Sequence, residues 1–126
     1  MLQDDLTKKI IASAYEVHNT LGAGFLEKVY ENAMMIELRK SGLQAQQQFN
    51  IPVYYKALQV GDYYADIIVE NQVILELKAV ENLAKIHEVQ LVNYLQGTGI
   101  KIGLLINFGS SVEVKRKYKN YKPKKL

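Results

Sequence analysis

Tyr63-Tyr64-Ala65-Asp66-Ile67-Ile68-Val69 and, three residues further on, Val73-Ile74-Leu75-Glu76-Leu77-Lys78-Ala79-Val80 are the stretches that decide how this chain folds. Both are rich in β-branched, aromatic and aliphatic residues, the composition of strands buried on two faces. Glu70-Asn71-Gln72 between them is polar and short enough for a hairpin loop. A three-residue loop pairs residues whose numbers sum to 142, which sets Asp66 opposite Glu76. A register slip of one residue would still leave the two as neighbours. Because side chains alternate along a strand, Glu76 and Lys78 project from one face while Leu75 and Leu77 project from the other.

Two carboxylates roughly 5 Å apart at Cβ repel each other and destabilise the pair of strands unless something positive lies between them. Lys78 alone could serve, and so could a divalent cation. Hard cations such as Mg²⁺ or Mn²⁺ take oxygen ligands, here Asp66, Glu76 and the backbone carbonyl of Leu77, and keep several waters for a phosphate-bearing substrate. Such an ion lowers the pKa of water and offsets charge growing on a phosphoryl group, while Lys78 could orient or stabilise the attacking hydroxide. The plainer reading is a buried ion-pair network, which is costly to desolvate and is usually replaceable by apolar residues.

Outward from this hairpin, the chain divides into helical and extended parts. Leu6, Ile10, Ala14, Val17 and Leu21 recur at helical spacing, and Gly22 and Gly24 end that segment. A second helix is expected from Phe25 to about Lys40, with Leu26, Val29, Tyr30, Ala33 and Ile36 near one stripe and Gly42 closing it. Gln46 to Phe49 and Ile51 to Tyr55 read as short strands, with Pro52 at a strand start or an edge and Gly61-Asp62 as a turn. Leu83 to Gln96 reads as a helix, Ile100 to Asn107 as a fully buried strand, and Val112 to Tyr118 as a further edge strand. The fold class is α+β (α/β), with a mixed central sheet flanked by helices.

The chain has 126 residues, 48% of them apolar and 23% charged, the profile of one globular domain that folds alone or as a small oligomer such as a homodimer. The start lacks a signal-peptide pattern, no run is long enough to span a membrane, and cysteine is absent, so a reducing cytoplasm is the expected location. The net charge of +3 hides an asymmetry: Lys115, Arg116, Lys117, Lys119, Lys122, Lys124 and Lys125 all fall in the last twelve residues. The chain is therefore divided into a domain over residues 1–114, with nine basic against thirteen acidic residues, and a basic C-terminal tail over 115–126. That tail, with Tyr118 and Tyr121, could follow a phosphate backbone and stack on bases, or could simply keep the chain soluble.

Asp66 followed across the hairpin by Glu76-Leu77-Lys78 resembles the motif of the PD-(D/E)XK nuclease superfamily, and the order α-β-β-β-α-β resembles its restriction-endonuclease-like core. More narrowly, Gly24-Phe25-Leu26-Glu27-Lys28-Val29-Tyr30 looks like the signature of the GxxExxY family. Gln90-Leu91-Val92-Asn93-Tyr94-Leu95 and Gly103-Leu104-Leu105-Ile106-Asn107-Phe108-Gly109 resemble that family's later segments. The motif's leading proline is replaced by Ala65, a position without chemistry. The resemblance implies Glu27 as an additional acid that completes the metal shell or positions water, and Gln90 as an amide that approaches the site.

The expected function is thus a Mg²⁺- or Mn²⁺-dependent nuclease acting on nucleic acid, DNA in preference to RNA. Asp66, Glu76, Lys78, Glu27 and Gln90 carry the chemistry, and Lys115, Arg116, Lys117, Lys119 and Lys122 contact the polyanion. The alternatives are a catalytically silent nucleic-acid-binding or regulatory module, and an interaction protein whose polar cluster is structural. Beside these, Glu27 could be a solvent-facing helix residue, Tyr30 reads as core with its hydroxyl bonded locally, and His18 and His87 read as hydrogen-bonded structural histidines. Gly22-Ala23-Gly24 reads as a turn and not a dinucleotide loop, since no strand precedes it.

Overall fold

The computed structural model describes residues 3–119. Helix α1 (Gln3–Leu21) follows the expected stripe, burying Leu6, Ile10, Ala14 and Val17. It ends at Gly22, whose φ of +76° places its N–H on the His18 carbonyl at 2.8 Å. Helix α2 (Glu27–Lys40) is rotated from the expected stripe: it buries Tyr30, Glu31, Met34, Met35 and Leu38, while Leu26, Val29 and Ile36 are exposed. The series Tyr30, Met34, Leu38 has the four-residue spacing that keeps side chains on one face, and its larger groups outweigh the weaker alternative.

Strands β1 (Ala45–Tyr55), β2 (Leu58–Val69), β3 (Val73–Lys78), β4 (Ile102–Phe108) and β5 (Val112–Tyr118) form one sheet in the order β1-β2-β3-β4-β5. Only β3 and β4 run parallel, joined by helix α3 (Lys85–Thr98), so the sheet is mixed. The α-β-β-β-α-β order expected from sequence is α2-β1-β2-β3-α3-β4, with α1 before it and β5 after it. Helices α1 and α2 pack on one face, against Ile67, Val69, Leu75, Leu77, Leu104 and Ile106; α3 packs on the other, against Ile51, Ala65, Ile74 and Leu105.

Two expected breaks are absent. Residues 46–49 and 51–55 belong to one strand, because β1 is an edge strand and Pro52 needs no ladder partner on its open side. Gly61-Asp62 is not a turn: both lie inside β2, opposite Val53 and Pro52. The hairpin reverses at Lys56 and Ala57, which hold the positive φ values of 49° and 68°. Gly61 instead adjoins the irregularity where the register slips by one residue, between Val53 and Tyr54, and a glycine beside a bulge has the same composition cue as a turn. The Glu70-Asn71-Gln72 loop is as expected, with Glu70 and Asn71 at φ of 54° and 52° and β2 paired to β3 at Ile67↔Leu75, Ile68↔Ile74 and Val69↔Val73.

The expected domain boundary after residue 114 falls within β5, which is paired to β4 along its whole length. Lys115, Arg116 and Lys117 are strand residues in a shared sheet. Lys122, Tyr121, Lys124 and Lys125 lie outside the described residues.

Candidate active site

The site begins at a corner. Ala45 and Ile67 face α1 and α2, whereas Phe49, Ile51 and Ala65, at positions of the same parity, face α3. Side chains that should share one face therefore lie on two, and the switch occurs at Gln48 and Asp66, opposite positions both omitted from the β1–β2 ladder. Gln48 takes φ of 54° there. The turn carries β2 away from β3, whose ladder ends at Ile67↔Leu75. Carboxylates fill the place of the missing ladder acceptors: the Asp66 N–H donates to Glu76 Oε1 at 2.9 Å, and the Leu77 N–H donates to Asp66 Oδ2 at 2.7 Å.

Each acid is thus locked by one oxygen to the other's strand, in a poorly solvated corner. Glu76 is 6% exposed. Burial first, and then the charge of Asp66, push its carboxyl up to about 8 against the opposing Asp66 N–H and Lys78. Burial also pushes Asp66 up, to about 6, opposed by the Leu77 N–H and helped by the charges of Glu31 and Glu27. The acids titrate as a pair, so near neutral pH they hold about one proton between them.

Lys78 lies two residues beyond Glu76 on β3, with the Glu76–Ile74 parity that faces α3, and its charge acts on both acids without a direct salt bridge to either. The chain after it is held by Asn107, which is 2% exposed: its Oδ1 accepts from the Val80 N–H at 3.0 Å and its Nδ2 donates to the Val80 carbonyl at 2.8 Å. Glu27 opens α2, is exposed, and adds negative charge to both acids. Its helix is fixed by Tyr30, stacked on Phe108 at 4.6 Å and donating its hydroxyl to the Gly22 carbonyl at 2.6 Å, while His18 bonds the Gly109 carbonyl at 2.8 Å. Gln90 on α3 is in polar contact with the Tyr94 hydroxyl, and the negative charges of Glu76 and Asp66 help burial to push Tyr94 up to about 12. His87 caps its own helix, its Nδ1 accepting from the Ala84 N–H at 3.2 Å, and burial and the Lys78 charge push it down.

Three further residues of this region were not among the sequence candidates. Glu31, 4% exposed, accepts from Lys28 Nζ at 2.9 Å, Gln47 Nε2 at 2.6 Å and Gln48 Nε2 at 3.1 Å, fastening α2 to the corner beside Asp66. Its only local signal is the four-residue spacing from Glu27, which puts both on one side of a helix. Asn107 stands out as an amide in a wholly buried strand, and Tyr94 as the residue one turn after Gln90.

The described basic candidates, Lys115, Arg116, Lys117 and Lys119, lie elsewhere. Lys117 and Lys115 meet Glu88 of α3 at 2.5 and 3.4 Å, and Arg116 donates to the Thr7 hydroxyl at 3.1 Å beside Asp4. The Lys119 N–H donates to the Lys101 carbonyl at 2.9 Å. The side chains of Lys115, Arg116 and Lys117 on β5 tie α3 and α1 to the sheet edge, one strand beyond β4 from the acids.

Among the described residues, no three His, Cys, Asp or Glu side chains converge as a metal cage. The donors that do converge are Asp66 and Glu76, each with one carboxylate oxygen outside the backbone bonds above. The Leu77 carbonyl points to the same side of β3 as the Leu77 N–H that binds Asp66, as a strand residue's N–H and C=O do. Hard oxygen donors of which two are carboxylates, crowded enough to retain a proton, fit a Mg²⁺-like ion that keeps several waters.

No curated protein matches the chain. In fold it is similar to the crystal structure of SSO0001, with a TM-score of 0.57 at 14% identity, over 96% of this chain and 62% of that one. The chain thus spans less than two thirds of that protein's length. Over residues 4–119 it matches the family model of the PD-(D/E)XK nuclease superfamily. The five-stranded mixed sheet with three helices agrees with that family's restriction-endonuclease-like fold, and the chain belongs to the PD-(D/E)XK nuclease superfamily.

Proposed function

We propose that this protein is a divalent-cation-dependent nuclease that hydrolyses phosphodiester bonds, with DNA preferred over RNA, and that it belongs with the GxxExxY group inside its superfamily. The observation that carries the reading is the corner, where the half-buried Asp66 and the buried Glu76 are held by backbone bonds, with Lys78 two residues further along β3, at the point where a buried ladder is broken. A bound Mg²⁺ or Mn²⁺ would be held by Asp66, Glu76 and the Leu77 carbonyl, and would supply charge neutralisation and an acidified water. Lys78 Nζ orients the incoming water and offsets charge on a non-bridging phosphoryl oxygen. Water adds to phosphorus as the bond to the leaving sugar oxygen breaks, giving a phosphomonoester and an alcohol. Gln90, steadied against Tyr94, orients the phosphate's surroundings, and Glu27 at the mouth adds a further acid.

The test is cleavage of single- and double-stranded DNA and of RNA by purified protein, with Mg²⁺, with Mn²⁺ and with chelator. Cleavage that needs the ion and is lost in Glu76→Ala is expected. Activity that survives chelation or that substitution overturns the reading, as does salt-sensitive binding with no cleavage under any ion.

A further inference from the structure

Beyond the corner, the β1–β2 hairpin continues without β3 beside it and leans over α3. Between hairpin and helix lies a groove of ≈ 640 Å³, in the size range of pockets that enclose small organic ligands. Its walls carry the rings of Tyr54, Tyr63 and Tyr94, and its helix side carries Ile86, Gln90 and Asn93. Tyr54 and Tyr63 are 61% and 49% exposed, so their faces are open, and the Tyr63 and Tyr94 centroids are 5.9 Å apart at 46°.

Resting on the nuclease reading, we propose that this groove receives an unpaired nucleobase of the substrate, next to the phosphate that is cut. Three features select that occupant. Gln90 and Tyr94 line the groove, and Tyr94 packs in one cluster with Ala65, the residue before Asp66, near enough for the charges of Glu76 and Asp66 to act on it. Aromatic rings stack on a base face only when the base has left its own stack, so a paired duplex does not satisfy them. The amides of Gln90 and Asn93 each offer a donor and an acceptor, which suit the hydrogen-bonding edge of any base and therefore give strandedness without strong sequence preference. A purely apolar partner would leave the Asn93 amide, and whatever Gln90 does not spend on Tyr94, unmatched. The substrate class is consequently nucleic acid with a single-stranded or locally unpaired nucleotide at the cut.

The experiment is equilibrium binding of fluorescent oligonucleotides to the full chain in chelator, which removes cleavage from the measurement. Wild type is expected to bind a single-stranded oligonucleotide more tightly than the blunt duplex of the same sequence. Tyr63→Ala, at a half-exposed position, is expected to weaken single-strand binding about tenfold and to leave duplex binding within twofold. Asn93→Leu, also exposed, gives a second variant, and thermal melting checks that each is folded. Equal single-strand binding by wild type and both variants overturns the proposal, as does a duplex preference in wild type. A change of oligomeric state in Tyr63→Ala without a change in binding also overturns it, since the groove would then hold a second copy. Because no cation is present, these outcomes are independent of whether the acid pair cleaves.

Discussion

Replacing Glu76 by Gln should make the metal-free protein more stable, and increasingly so as pH rises. The amide keeps an oxygen to accept the Asp66 N–H but removes a buried charge that Asp66 repels. Glu76 ionises at about 8 when folded, against 4.5 when unfolded. As pH climbs, the unfolded chain therefore releases this proton first, and the folded state loses stability from about pH 4.5 up through about 8. With 1.36 kcal/mol per unit, the loss is about 1 kcal/mol at pH 5, about 3 at pH 7, and between about 4 and 5 above pH 8. Near 3 to 4 °C per kcal/mol for a domain of this size, Glu76→Gln should gain roughly 10 °C in melting temperature over wild type at pH 7. Thermal melts of both proteins in chelator from pH 5 to 9 provide the check. The difference between the two curves matters more than either curve, because the groups outside the coupled Asp66–Glu76 pair titrate alike in both. A difference that stays flat with pH, or shrinks as pH rises, would refute the account of the corner as a proton-holding acid pair. Added Mg²⁺ at pH 8 should raise the wild-type melting temperature and leave that of Glu76→Gln in place.

Gly103 lies under α3, where an added Cβ would come within 2.7 Å of Leu91 Cδ1 and 2.9 Å of its Cγ. Gly103→Ala should cost about 1 to 3 kcal/mol in urea denaturation, and much less in a Leu91→Ala background; equal costs in both would refute the clash. Tyr30→Phe keeps the stack on Phe108 but leaves the Gly22 carbonyl without its donor, so it should cost about 1 to 2 kcal/mol in the same assay, and an unchanged midpoint would show that water replaces the hydroxyl.

What was legible in the sequence was what depends on neighbours along the chain. The hairpin loop at Glu70-Asn71-Gln72, the register that sets residue 66 against residue 76, and the shared face of Glu76 and Lys78 follow from loop length and strand alternation, and β5 was read to the residue. What failed depended on partners distant in sequence. The buried face of α2 was misjudged because Val29 and Ile36 are as apolar as the residues that won, and only the sheet beneath chooses between them. Glu31 looked like any helix glutamate because its partners, Gln47 and Gln48, come from another strand. That Lys115, Arg116 and Lys117 are paired was likewise not legible locally, because their counter-charges, Glu88 and Asp4, lie 27 or more residues away.

The corner joins these two kinds of information. Period-2 alternation would put Ala65 with Ile67, and Phe49 with Ala45, on single faces; instead the faces change at Gln48 and Asp66. A strand pair that turns over must leave backbone groups without ladder partners, and a buried N–H left unbonded costs about as much as a lost hydrogen bond. Asp66 and Glu76 meet that need at Leu77 and Asp66, which explains why acids are tolerated within such apolar strands. The same bonds use only one oxygen of each acid, and burial, against the pull of those N–H groups, keeps the pair partly protonated. An alanine at either position would therefore lose a backbone acceptor as well as a reactive group. Measured losses of activity in Asp66→Ala or Glu76→Ala need the isosteric Asn and Gln variants beside them before chemistry can be separated from architecture.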